Sequence, residues 1–311
     1  MPANCLGGAT GLVRQLFATL KRLILLFGLC SLASRAEAQI LVELKLPRLQ
    51  YIAYEPIVAS VGITNLAGRD IELRDADGQV WFGFEITGAE GQPIAATSAK
   101  PLQPPLKIEA GKRVTQKINL TPLYAVQEFG NYHVRAYIHF ADLTRFYYSP
   151  RKVFEVTPAR PIWQRTVGIP SGLGAPGNVR TYSLLTNRFP NHTSLYVRVE
   201  DKDTGIVYAT YSLGRIIASD EPQAQLDREN QLHILHCAAP RTWTYSRIGL
   251  NGEELAHSSF VETKTRPRLA HAADGSVTVH GGMAEAAATP APAGTNPAPK
   301  LSDRPAATPK N

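Results

Sequence analysis

The chain has 311 residues, a formal charge of +7 and 44% apolar residues, enough for about two domains with real cores. Four Lys/Arg and one Glu fall in the first 38 residues, so +7 minus +3 leaves +4 on residues 39–311. Those basic residues are scattered through strands and turns instead of forming a run, which argues against a dedicated nucleic-acid surface.

Residues 1–38 read as an export signal. Arg14, Lys21 and Arg22 precede the apolar run from Leu23 to Ala33, and Ala36-Glu37-Ala38 places small residues at the two positions a signal peptidase reads. The mature chain is predicted to begin near Gln39. The run is too short to cross a ~30 Å hydrocarbon core as a retained helix, so no transmembrane segment is expected after signal removal. Cys30 raises a lipoprotein reading, but Leu29 stands where such a site needs a small residue. The expected location is secreted or periplasmic, in the cell envelope. Cys5 and Cys30 would leave with the signal, and Cys237 alone has no intrachain disulfide partner. Its setting, LHILHCAAP, reads as core.

Residues 39–157 alternate apolar and polar positions with period two, the mark of half-buried strands. Ile40, Val42 and Leu44 open the series; Ile57, Ala59, Val61 and Ile63 follow, then Val80, Phe82, Phe84 and Ile86. Asp75-Ala76-Asp77-Gly78 is a tight hairpin signal. The Pro-rich stretch Lys100 to Pro105 lacks ladder donors and suits an edge or crossover. Val114, Ile118 and Leu120 form the next face, then Tyr132, Val134, Ala136, Ile138 and Phe140; Phe146, Tyr148, Phe154 and Val156 close the set. The polar partners of the longest strand are Asn131, His133, Arg135, Tyr137 and His139. Trp81 has the parity opposite to Phe82 and Phe84, so its burial is not required by the pattern.

Short strands without a helix pattern predict an all-β fold, with a Greek-key sandwich over 39–157. Gly130-Asn131-Tyr132 resembles the tyrosine corner of immunoglobulin-like domains, where a Tyr at the start of the sixth strand ties its hydroxyl to nearby backbone. Val134 then takes the place where antibody-type domains carry a Cys, so apolar packing stands in for the disulfide. Together with Tyr54-Glu55-Pro56 through Asn65 and Ala110-Gly111, the segment resembles the bacterial immunoglobulin-like domains grouped around the BsuPI-type proteinase inhibitors. The resemblance covers about 120 residues and implies a sandwich and a protein-binding role. No inhibitory-loop residue matches, so no inhibitor site is carried over.

Residues 158–178 read as a Pro/Gly-rich linker. From 179 to 282 a second all-β unit is predicted, with an internal echo. Pro222 through Leu226 leading to Leu232-Leu235 is matched by Pro267 through Ala270 leading to Val277-Val279, 45 residues on. Leu195-Val199 with Ile206-Ala209, and Trp243-Tyr245 with Leu255 across Asn251-Gly252, supply further hairpins. The pattern is blade-like, but too few units are present to close a propeller. The segment must stack as open sheets, finish against the first domain, or assemble between chains. Residues 283–311, rich in Ala and Pro, are expected to be disordered.

Reactive constellations are scarce. Eight His residues invite a metal reading, but His233 and His236 are three apart on a strand and face opposite ways; His257, His271 and His280 are far apart in sequence. Asp75-Asp77 and Asp201-Asp203 have alternating oxygens like calcium loops, yet lack the distal bidentate acid. No HExxH, G-x-S-x-G or GK[ST] motif occurs. The strand aromatics Tyr147, Tyr148, Tyr182, Tyr196, Tyr208, Tyr211, Trp243 and Tyr245 suit a core, or stacking on a partner where exposed. The expectation is an exported, non-enzymatic binding or envelope-structural protein without cofactor or metal, its partner a protein or a glycan; a secreted peptidase inhibitor and a carbohydrate-binding module are the alternatives. The only residues singled out, Gly130, Tyr132 and Val134, are structural.

Overall fold

The computed structural model describes residues 39–97, 103–169 and 179–285. The stretch read as an export signal, 1–38, part of the Pro-rich stretch, residues 170–178 and those from 286 onward lie outside the described residues. The described chain is nearly all β, with one 3-10 turn at Ala141–Leu143. Its first strands are β1 (Ile40–Lys45), β2 (Gln50–Ile52), β3 (Val58–Asn65), β4 (Ile71–Leu73) and β5 (Phe82–Thr87). There follow β6 (Leu106–Ile108), β7 (Arg113–Asn119), β8 (Gly130–Phe140), β9 (Arg145–Tyr148) and β10 (Lys152–Thr157). Beyond these come β11 (Arg160–Gly168), β12 (Val179–Arg188), β13 (Thr193–Asp201), β14 (Val207–Ile216), β15 (Gln223–Leu226) and β16 (Leu232–Ala239). The series ends with β17 (Thr242–Ile248), β18 (Glu254–Val261), β19 (Arg268–His271), β20 (Val277–His280) and β21 (Met283–Ala284).

The chain divides into two compact units. The first holds 39–49, 58–124 and 131–154; the second holds 50–57, 125–130 and 155–285.

In the first unit one antiparallel sheet runs β1-β3-β7, and the other sets β8 between β5 on one edge and β9 and β10 on the other. This is the A-B-E and C-F-G partition of an immunoglobulin-type sandwich, with β8 as the sixth strand. Each sheet turns one apolar face inward: Ile40, Val42 and Leu44; Ala59, Val61 and Ile63; Phe82, Phe84 and Ile86; and Tyr132 through Phe140 in alternation are all buried. The small β4-β6 pair lies beside them. Asp77 and Gly78 take left-handed backbone angles, and Ala76 bridges Gln79, so the Asp-Gly turn forms as its residues predict. Trp81 is fully buried despite its parity.

β9 and β10 occupy successive stretches of the same β8 edge. Ser149 separates them: its N–H donates to the Ala136 carbonyl (2.9 Å), and its Oγ accepts from the Ala136 N–H (3.0 Å).

The second unit stacks two up-and-down meanders, β11-β12-β13-β14 and β15-β16-β17-β18, the latter extended by β21. Their facing sides share one apolar core that includes Tyr182, Leu184, Val197, Leu213, Leu232 and Ile234. Within the chain the two meanders pack face to face as an open stack, one of the three arrangements left open by the repeat count. The β19-β20 hairpin covers the far side of the second meander, where Leu235, Cys237, Trp243, Leu269 and Val277 form a separate core. Both faces of β16 are therefore covered, which is why Leu232 through Cys237 are all buried. The two echo segments are the hairpins β15-β16 and β19-β20.

Arg160–Gly168, inside the stretch read as linker, is the edge strand β11. Pro161 sits at a register shift beside Trp163, where a missing N–H costs no ladder bond. Gln50–Ile52 pairs in parallel with Glu155–Thr157, and Ile52 packs with Leu185 and Tyr196 on the other side of the first meander. Arg198 Nη2 donates to the Ala53 carbonyl at 2.7 Å. At the far end, Met283 and Ala284, assigned from composition to the tail, pair with Val261 and Phe260.

Candidate functional site

The inward residues of β8 leave His133, Arg135, Tyr137 and His139 on its outer face. The register then decides what stands beside them. Tyr137 is flanked by Gly83 on β5 and Tyr148 on β9, His139 by Phe146, and Arg135 by Glu85. Tyr137 lies 5.8 Å from Phe146 and 6.3 Å from Tyr148, and the Phe146 and Tyr148 rings are 6.2 Å apart at 24°. His139 adds a ring 4.7 Å from Phe146. Phe146 is 38% exposed and Tyr148 43%, while His139 is buried beside Phe146, so Phe146, Tyr148 and the half-buried Tyr137 form an aromatic platform open to solvent.

Its rim is polar. The Arg135 guanidinium lies 4.1 Å over the Tyr148 ring, and its Nε donates to Glu85 Oε2 at 2.7 Å. Stacking and ion pairing hold the cation in one place, which lowers the entropy lost when a partner binds it. A Cβ on Gly83 would stand 2.4 Å from Tyr137 Oη and 2.5 Å from its Cζ. Only glycine there lets the ring lie down across β5. Burial, followed by the Glu85 charge, raises both the Tyr137 and Tyr148 hydroxyls above the usual phenol range. Both stay neutral near pH 7 and can donate as well as accept.

The residues singled out in the sequence stand at the start of β8. Gly130 has φ +142, a conformation that side chains disfavour. Tyr132 is buried and stacks on Phe154 at 5.2 Å and 11°; Val134 is fully buried opposite Ile86. They support the strand that carries the platform and do not line it. Of the aromatics noted in the sequence, Tyr147, Tyr182, Tyr196 and Trp243 are buried, while Tyr148 and Tyr208 are exposed. Tyr137 was legible only as a large ring on a polar face.

The chain matches no protein-family model, and no curated protein matches it in sequence.

Other groups that could carry chemistry are committed elsewhere. His233 is buried between the Tyr245 hydroxyl (2.8 Å) and Asp227 (3.0 Å). Asp201 Oδ1 accepts the N–H groups of Asp203 and Thr204, and its Oδ2 pairs with Arg180 at 2.7 Å. Its oxygens thus serve a turn, as do those of Asp75, where Oδ1 accepts the Trp81 N–H. Among the described residues no group of three or more His, Cys, Asp or Glu is placed to hold a metal ion. Ser246, His257 and Glu254 meet, but Ser246 Oγ (3.4 Å) and Glu254 Oε1 (2.9 Å) both face His257 Nδ1. A relay needs the two partners on different ring nitrogens, and Ser246 is fully buried.

Burial, reinforced by Asp220, pushes the Cys237 thiol up to about 11. The thiolate is the reactive form, so folded protein is expected to react with Ellman's reagent at pH 8 far more slowly than denatured protein. Equal rates would show that the thiol is not held as described.

Proposed function

We propose that the chain is an exported, non-enzymatic binding protein of the cell envelope whose immunoglobulin-like unit engages a protein partner through the Tyr137–Phe146–Tyr148 platform. The observation that carries this reading is a contiguous set of exposed rings beside a preorganised Arg135–Glu85 pair. Tyr and Arg dominate the energetics of protein interfaces because they bury much area with few rotors. Export rests on the signal-like residues 1–38. Among the described residues no helix is long and apolar enough to cross a membrane.

The near-parallel Phe146 and Tyr148 rings favour a second reading, in which sugar rings stack on them and the Arg–Glu rim bonds their hydroxyls. The resemblance to BsuPI-type inhibitor domains draws support from the strand order and from Gly130-x-Tyr132, and peptidase inhibition is the alternative it suggests.

The test compares mature wild-type protein with a Phe146→Ala/Tyr148→Ala double variant. Both substitutions are on exposed rings, so the fold is expected to survive. Capture of a partner from the envelope fraction should fall at least ~10-fold in the variant, the scale of losing interface anchors. Capture that survives the double substitution would sink the platform reading. Binding on a glycan array that the variant loses would favour the sugar reading, and inhibition across a protease panel the inhibitor one.

A further inference from the structure

A second site lies in the other unit, independent of the platform. A cleft of about 600 Å³ opens beside the β19-β20 hairpin, lined by Gln223, Thr265, Arg266, Arg268, His280 and Gly281. Arg268 and His280 are direct cross-strand partners, so their side chains stand on the same, outward face. No carboxylate belongs to the lining.

The side-chain acceptors of Gln223 and Thr265 are already used. Gln223 Oε1 accepts the Leu269 N–H at 2.8 Å, which fixes the amide and leaves its NH₂ group to donate. The Thr265 carbonyl accepts the Gly282 N–H at 3.1 Å, and its Oγ1 shares that donor at 3.4 Å, leaving the hydroxyl proton free to point elsewhere. Arg266 is immobilised: Nη2 meets Asp220 at 2.6 Å and its guanidinium lies 4.4 Å over Trp243. Its charge is balanced by Asp220, but it stiffens the wall. Arg268 is exposed and, among the described residues, has no carboxylate partner. A Cβ on Gly281 would come within 2.7 Å of the Arg266 carbonyl and 3.1 Å of Thr265 Oγ1, so only glycine lets the end of the hairpin close against the 265–266 segment.

A cleft lined by an amide, a hydroxyl, one uncompensated guanidinium and no acid selects an anion. Its volume is that of a small-molecule site and not of a lone ion. We infer that this cleft binds a ligand of about monosaccharide size bearing one oxyanion, carboxylate or phosphate, with Arg268 as the charge partner and Gln223 and Thr265 as neutral donors.

The experiment is calorimetric titration of the mature protein at low salt with glucuronate, glucose 6-phosphate, inorganic phosphate and glucose. At least one anionic sugar should bind with Kd below about 1 mM, more tightly than inorganic phosphate, while glucose does not bind. The two anionic sugars distinguish a carboxylate from a phosphate source. Arg268→Gln should weaken that binding at least ~10-fold, the usual scale of a charge-assisted pair, with an unchanged thermal midpoint because the side chain is exposed. The Phe146→Ala/Tyr148→Ala variant should bind as wild type. The inference is overturned if both anionic sugars bind more weakly than about 1 mM, if Arg268→Gln binds equally well, or if glucose or inorganic phosphate matches them.

Discussion

Replacing Trp81 by alanine is expected to cost the first unit ~3–5 kcal/mol, the range for emptying a large buried aromatic site. The side chain is fully buried. Its Nε1 donates to the Gln103 carbonyl at 3.2 Å and its ring lies 5.5 Å from Phe82. Its backbone is held as well, with the N–H on Asp75 Oδ1 (2.9 Å) and the carbonyl receiving the His139 N–H (2.8 Å). Truncation therefore leaves a cavity and strips the half-buried Gln103 carbonyl of its donor, and surrounding backbone this firmly tied has little freedom to collapse. Trp81→Phe keeps most of the volume and should lose only ~1–2 kcal/mol, mainly through the orphaned carbonyl. Denaturant unfolding of both variants checks the pair of values. A loss below ~1 kcal/mol for the alanine variant would mean that the ring is not packed as described.

Acid sensitivity should centre on His236. The ring is fully buried between the two meanders of the second unit, with no well-formed hydrogen bond on either nitrogen and only a poorly aligned approach of the Arg215 backbone. Burial pulls its pKa from 6.5 down to about 4; the Arg215 backbone opposes this and the neighbouring His257 adds to it. The folded pKa is depressed, so above pH 6.5 the ring is neutral in both states and nothing is lost. As the pH falls from 6.5 toward 4 the unfolded chain takes up a proton that the folded chain refuses. Folding then loses ~1.4 kcal/mol per pH unit, ~3 kcal/mol over the window. His236→Leu should match or exceed wild type at pH 7, since it removes an unsatisfied buried polar group, and should abolish this slope. The carboxylates held low by hydrogen bonds, Asp201, Asp220 and Asp274, begin to lose their contribution only as the unfolded carboxylates protonate, below about pH 5, and do so equally in both proteins. Parallel stability–pH curves for the two proteins between pH 7 and 4 would refute the assignment.

Much of the architecture could be read from alternation alone, because each strand of the first unit buries one face and shows the other. β1, β3, β5 and β7 through β10 fall where the apolar positions recur, and the two echo segments are hairpins. Reading failed where burial was not one-sided. Trp81 lies at a strand end where Asp75 and Gln103 wrap around it, so parity lost its meaning. In β11 the prolines suggested a linker, yet an edge strand with a register shift accommodates Pro161. The candidate sites were hidden for another reason. Tyr137, Phe146 and Tyr148 become neighbours only through the β8–β9 register, and Arg268 faces His280 only through that of β19–β20. Strand register depends on pairings distant in sequence, which periodicity along one strand does not encode.

Ser149 gives the first unit a kind of modularity. Because it closes one pairing to Ala136 and opens the next, β9 and β10 are separate tenants of a single edge, and the register of one does not dictate that of the other. A residue inserted or removed in the 141–144 turn would re-aim Phe146 and Tyr148 while β10 kept its place. The fold thus separates the part of the edge that carries the exposed rings from the part that must stay constant, so the ring cluster can vary over an unchanged frame.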